Sequence, residues 1–187
     1  MLTKLYDRDE ISKALACMAQ KIEMLTYDLY KSKLNTKKFT PFPVTFVMVL
    51  KGGPSVGFGL LQRSSSYISE DCRIGFIGVS SYGVNTYQSK DVKITYPLDL
   101  KAEDLVDRAV WIVDDIVETG FTFNCVKTKI YIATGKEAFT CALVNKGSQI
   151  RADVHGIHYY GNEFLVGCGM GKGEEYRSLD SIYSYKE

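Results

Sequence analysis

Between Asp7 and Lys31, apolar side chains fall at Ile11, Leu15, Met18, Ile22, Leu25 and Leu29, alternating steps of four and three, the stripe of an amphipathic helix. Asp7 with Glu10 three residues on predicts a capped start, each carboxylate accepting from the other's backbone N–H. A connection carrying lysines and prolines, Leu34 to Pro43, leads into a different pattern. Val44 to Leu50 is a continuous apolar run and reads as a buried strand. Pro54 to Gln62 reads as a short helix, Arg73 to Val79 and Ala109 to Val113 as strands, Thr122 to Ala133 as a helix and Ala138 to Val144 as a strand. Apolar strands alternating with helices predict an α/β fold, a parallel sheet core flanked by helices. Ligands of such sheets bind beyond the carboxyl ends of the strands, so the residues following each strand are the candidates for chemistry.

Two stretches lack this periodicity. Ser80 to Asp91 is rich in Ser, Gly, Asn, Gln and Tyr and predicts a lid or a mobile hairpin. From Asp153 onward, recurrent glycines and tyrosines predict irregular backbone apart from a short strand, Phe164 to Val166. No internal repeat is present, and residues 1–187 are read as a single domain.

Composition narrows the partners. Lys and Arg number 23 against 22 Asp and Glu, and they are scattered, which argues against a nucleic-acid backbone or an anionic membrane as the main partner. A small phosphorylated ligand remains allowed. No apolar run approaches the roughly 18–20 residues of a membrane span, and Met1 to Lys4 lacks a signal-peptide core, so a cytoplasmic location is expected. The five cysteines are odd in number and form no Cys-x-x-Cys, suggesting neither a disulfide framework nor a thiolate zinc site.

The chemistry concentrates between Val110 and Thr122. An apolar strand delivers Asp114 and Asp115, then Glu118, then Thr119-Gly120-Phe121-Thr122 opening a helix. Backbone N–H groups at a helix N-terminus can cradle a phosphate, with the two hydroxyls adding donors and Gly120 allowing close approach. An adjacent carboxylate pair can accept from vicinal sugar hydroxyls or help to hold a hydrated magnesium ion. The bland alternative is a solvated acidic strand end with Glu118 capping a helix, but it leaves the Thr-Gly-x-Thr turn unexplained.

Val113 to Thr122 resembles the diphosphoribosyl-binding motif of type I phosphoribosyltransferases, and the flanking features are similar to those of the hypoxanthine-guanine branch of purine salvage enzymes. Leu50-Lys51-Gly52-Gly53 after a buried strand resembles that branch's pyrophosphate loop, and Ser81-Tyr82 the start of its mobile loop. Ala142-Leu143-Val144, Phe164-Leu165-Val166-Gly167 and Glu174-Glu175-Tyr176-Arg177 follow in the same order. The resemblance implies a small hood built from the N- and C-terminal segments, and transfer of a 5-phosphoribosyl group from phosphoribosyl pyrophosphate to a purine of the guanine, hypoxanthine or xanthine type. It also implies dependence on Mg2+ and a homodimer or homotetramer.

By the same resemblance, Asp114 and Asp115 serve the ribose diol and, through water or the ribose hydroxyls, the metal. Thr119, Gly120, Phe121 and Thr122 serve the 5-phosphate. Lys51, Gly52, Ser81, Tyr82 and Arg177 serve the pyrophosphate; Asn145, Lys146, Phe164 and Leu165 serve the base; and Glu118 stands where the family's acid/base residue, usually an aspartate, belongs. Three positions depart from the pattern. Asn145 is read at the place of the branch's base-reading lysine, Glu163 stands where a lysine usually precedes the stacking aromatic, and an aspartate near base and metal is replaced around Gly171. These departures leave the sugar-phosphate residues intact and admit a second reading, a regulatory protein on the same scaffold that binds nucleotide or phosphoribosyl pyrophosphate without turnover. A third, an unrelated doubly wound phospho-acceptor domain using Asp114 or Asp115, leaves the Thr-Gly-Phe-Thr turn idle.

Overall fold

The computed structural model describes residues 1–33, 41–81, 92–147 and 150–186. Its centre is a six-stranded sheet in the order β4-β3-β2-β5-β6-β7. The strands are β2 (Val44–Leu50), β3 (Cys72–Ser81), β4 (Val92–Tyr96), β5 (Ala109–Val117), β6 (Phe139–Lys146) and β7 (Val154–Tyr159). All neighbours run parallel except β4, which returns antiparallel to β3. The helices are α1 (Arg8–Tyr30), α2 (Gly53–Leu61), the single turn α3 (Ser66–Ser69) and α4 (Phe121–Thr134).

Strand alternation divides the apolar side chains between two cores. Val44, Phe46, Met48, Trp111, Val113 and Leu143 face α1 and α2, whereas Val47, Val49, Val110, Ile112 and Ala142 face Phe123, Val126 and Ile130 of α4. With both faces covered, β2 is buried along nearly its whole length and apolar apart from Thr45, whose hydroxyl donates to the Asp104 carbonyl at 2.7 Å.

The capping box forms as read: Glu10 N–H donates to Asp7 Oδ1 at 2.9 Å and Asp7 N–H to Glu10 Oε2 at 2.9 Å. The α1 stripe departs from expectation in its last two turns. Leu25 and Leu29 are exposed, and Thr26 and Tyr30 are buried instead. The fully buried Trp111 accounts for the first exchange, because its indole N–H donates to Thr26 Oγ1 at 3.2 Å, giving a buried polar pair its partner. Tyr30 donates to the carbonyls of Pro43 and Asp107 at 3.1 and 3.3 Å.

The C-terminal part is more regular than its glycines suggested. β7 pairs with β6 along the sheet edge, and β9 (Ile182–Tyr185) sits between β1 (Leu2–Tyr6) and β8 (Phe164–Val166) in an antiparallel three-stranded hood joining the two chain ends. Period-two alternation is obscured in β7 by His155, Gly156 and His158, so only pairing with β6 makes it a strand. All five cysteines are free, Cys141 buried and Cys17 exposed.

Candidate active site

The chain leaves β2 toward β3 on one side, and leaves β5 toward β6 on the other. Between β2 and β5 the connections therefore diverge, opening a crevice at the carboxyl ends of the strands. Lys51 and Gly52 follow β2 into it, through a cis Leu50–Lys51 peptide. β5 runs four residues past the expected end at Val113, because β6 continues beside it and pairs Asp114 with Ala142 and Val117 with Asn145. The two aspartates are thus held inside a strand, and alternation turns them to opposite faces.

Asp115 lies on the α2 side, against Gly52: a β-carbon at Gly52 would stand 1.7 Å from Asp115 Oδ2. Asp115 N–H donates to Asp114 Oδ1 at 2.9 Å and Ile116 N–H to Asp115 Oδ1 at 2.8 Å. Both carboxyls are nearly buried. Burial, and then the charge of Asp115, push Asp114 well above the usual carboxylate range. Burial also raises Asp115, partly opposed by its hydrogen bonds and by the Arg177 guanidinium. Two desolvated acids side by side call for hydroxyl donors or a cation.

From there the backbone turns through residues 118–120 into α4. Gly120 takes a positive φ of 72° as the residue preceding the helix, and among the described residues no side chain caps the first N–H groups of α4. Uncapped amides beside an exposed Thr119 suit an anion. Residues 114–120 with Thr122 and Phe123 line a polar cleft of about 210 Å³. The cleft does not include Phe121, whose ring is exposed.

Glu118 and Lys146 meet across this end of the sheet, Lys146 Nζ donating to Glu118 Oε1 at 3.2 Å. Asn145, the preceding residue, corrects the base-site expectation: it is fully buried and offers a ligand no surface. Its amide donates to the carbonyls of Gly147 and Ile150 at 3.3 and 3.2 Å, while its Oδ1 accepts from Ala152 N–H at 3.2 Å. Side chains on adjacent strand positions point to opposite faces, so one of Asn145 and Lys146 turns inward, and it is the uncharged one. Phe164, at the start of β8, leaves its ring half-exposed, whereas Leu165 packs in the core and cannot present its side chain to a base. Glu163 accepts from the Tyr159 hydroxyl at 2.6 Å, and this bond holds its carboxyl below the usual range.

On the other flank, Arg177 donates to the carbonyls of Gly169 and Gly173 at 2.8 and 2.7 Å, and its buried Nε has no partner among the described residues. A β-carbon at Gly171 would meet Arg177 Cγ at 2.6 Å, so the arginine stem occupies the space of a side chain there. Lys51 pairs with Glu174 at 2.5 Å. Ser81 ends β3; Tyr82 and the rest of the expected lid lie outside the described residues. Ile150 was not anticipated. Its side chain covers Gly120, where a β-carbon would lie 2.8 Å from Ile150 Cγ2, a contact that no sequence motif announces.

A family model, the phosphoribosyl transferase domain, matches residues 9–170. The chain is 32% identical over 142 residues to the hypoxanthine phosphoribosyltransferase of Salmonella typhimurium, covering 70% of this chain and 78% of that protein. Among solved structures, a hypoxanthine-guanine phosphoribosyltransferase from Bacillus anthracis superposes with a TM-score of 0.77 at 25% identity, covering 98% of each chain. The hypoxanthine phosphoribosyl transferase of Trypanosoma cruzi gives a TM-score of 0.77 at 25% identity, over 98% of this chain and 91% of that one. Motif, sheet order and relatives agree, and the chain belongs to the phosphoribosyltransferase family, in its hypoxanthine-guanine branch.

Proposed function

We propose that the protein transfers the 5-phosphoribosyl group of phosphoribosyl pyrophosphate to a 6-oxopurine, releasing pyrophosphate. The observation that carries this reading is the single cleft that runs from the Asp114–Asp115 pair to the uncapped start of α4. The 5-phosphate sits on the α4 amides with Thr119 and Thr122, and Gly120 lets it approach closely. The ribose diol donates to Asp114 and Asp115. Lys51, the Gly52 backbone and Arg177 meet the pyrophosphate, and the Arg177 Nε–H is a donor still to be used.

The base lies between Phe164, which supplies a stacking face, and the Lys146–Glu118 pair. An ammonium donor and a carboxylate acceptor 3.2 Å apart complement a purine edge that carries an oxo group beside a ring N–H. Base reading by lysine is thus retained at Lys146, and the purine class narrows to 6-oxo compounds. Glu118 takes the ring proton as the bond to C1 forms.

The raised, desolvated aspartate pair fits a magnesium ion carried in on the substrate. Among the described residues no cluster of three metal-ligating side chains occurs, so water and substrate oxygens would complete the shell, as is usual for this ion. Bound there, magnesium would offset the charge of the departing pyrophosphate. A homodimer or homotetramer acting in the cytoplasm, without nucleic-acid partners, completes the proposal. Exposed Met24, Tyr27 and Leu29 on α1 offer apolar surface for assembly.

The test is pyrophosphate release with magnesium, phosphoribosyl pyrophosphate and a panel of guanine, hypoxanthine, xanthine, adenine and uracil. Turnover of the 6-oxopurines supports the reading; binding of phosphoribosyl pyrophosphate with no turnover of any base would overturn it in favour of a regulatory protein.

A further inference from the structure

The Lys146–Glu118 pair is unequal in its surroundings, and, given the transferase reading above, the inequality bears on how the base is selected. Register explains why the two meet: Val117 pairs with Asn145 across β5 and β6, so the residues that follow are neighbours at the mouth of the cleft. The lysine side chain is only 11% exposed, whereas the glutamate is 60% exposed. The lysine side chain is thus held in place by its packing, whereas a carboxylate in solvent can leave at little cost. Glu163, a second carboxylate within the electrostatic reach of Lys146, is engaged by the Tyr159 hydroxyl. In the free protein Glu118 is thus the carboxylate that accepts from Lys146.

We propose that this ion pair is a latch opened by the base: a purine presenting an oxo group gives Lys146 a replacement acceptor and frees Glu118 for catalysis, whereas a purine presenting an amino group leaves Glu118 held. In the step that follows, the lone pair of the attacking ring nitrogen forms the bond to C1. The C1–O bond breaks with its electrons leaving on pyrophosphate, and the ring N–H proton passes to the Glu118 carboxylate. Selection against the aminopurine then acts on turnover as well as on binding. Lys146 is both a reader of the base and a positioning residue for Glu118.

The test compares kcat and KM for hypoxanthine and adenine in the wild type, Lys146→Met and Lys146→Arg, with phosphoribosyl pyrophosphate affinity measured separately. In Lys146→Met, kcat/KM for hypoxanthine should fall about tenfold or more, as expected for loss of a charged hydrogen bond. Its kcat for adenine should rise about threefold, the scale of releasing an ion pair. Lys146→Arg keeps the donor and should restore the wild-type discrimination. An adenine kcat that stays flat or falls in Lys146→Met, with phosphoribosyl pyrophosphate affinity intact, would overturn the latch while leaving the transferase reading in place. Failure of the wild type to turn over any purine overturns both, and is recognised before any variant is compared.

Discussion

Gly52 and Asp115 are in direct contact, the missing side chain of one making room for the carboxylate of the other. The loop after β2 and the acidic stretch of β5 lie 63 residues apart in sequence, yet they form one continuous surface. The same surface is closed from above by the C-terminal segment, where a β-carbon at Gly169 would stand 2.5 Å from the Gly52 carbonyl oxygen.

Gly52→Ala should therefore displace Asp115. Overpacking of this kind costs about 1–3 kcal/mol, and if half of that falls on the binding surface, phosphoribosyl pyrophosphate affinity should weaken by roughly two- to twelvefold. Calorimetric titration together with thermal melting reads both effects. Full affinity in a destabilised variant would remove Asp115 from the binding surface.

Asp114 binds its proton more tightly folded than unfolded, because burial and the Asp115 charge disfavour its ionised form. Between an unfolded value of about 4 and the raised folded value, the folded chain carries the extra proton, so stability is lost as pH rises through that window. Asp115 is shifted in the same direction. Asp114→Asn removes the liability while its amide oxygen can still accept from Asp115 N–H. At neutral pH its Tm should rise by about 2–4 °C, the equivalent of about 1 kcal/mol in a chain of this size. The gain should vanish below about pH 4, and phosphoribosyl pyrophosphate binding should be lost. A lower Tm at neutral pH would show that the aspartate pair is not the source of the instability.

Glu118→Gln keeps the shape of the side chain and a hydrogen-bonding oxygen, but it cannot take a proton. Turnover should drop by about 10²–10⁴, the usual contribution of a general base, with phosphoribosyl pyrophosphate affinity changed by less than about threefold. Rapid-quench kinetics beside equilibrium binding separate the two quantities. Equal losses in both would make Glu118 a binding residue.

Asn145→Leu leaves the carbonyls of Gly147 and Ile150 and the N–H of Ala152 without their partner. Ile150 covers Gly120, so the disturbance travels to the phosphate turn rather than to the base. KM for phosphoribosyl pyrophosphate should rise by about tenfold, if about half of the cost of losing these three hydrogen bonds reaches the phosphate turn, while the ratio of guanine to adenine turnover stays constant. A changed base preference would return Asn145 to the base site.

The sequence by itself determined the parallel sheet, because β2, β5 and β6 are buried on both faces and carry predominantly apolar runs that need no tertiary context to be recognised. It determined the Asp7 cap and the Asp114-to-Thr122 stretch for the same reason: their chemistry is local, with partners within a few residues. Pairing across the sheet decided the rest. β7 became a strand only beside β6, Thr26 became a core residue only beneath Trp111, and one step of strand alternation buried Asn145 and left Lys146 to meet Glu118. A one-residue shift in a strand reverses which side chain faces the ligand, and the position where β6 turns its last residues is set by its neighbours rather than by its own sequence.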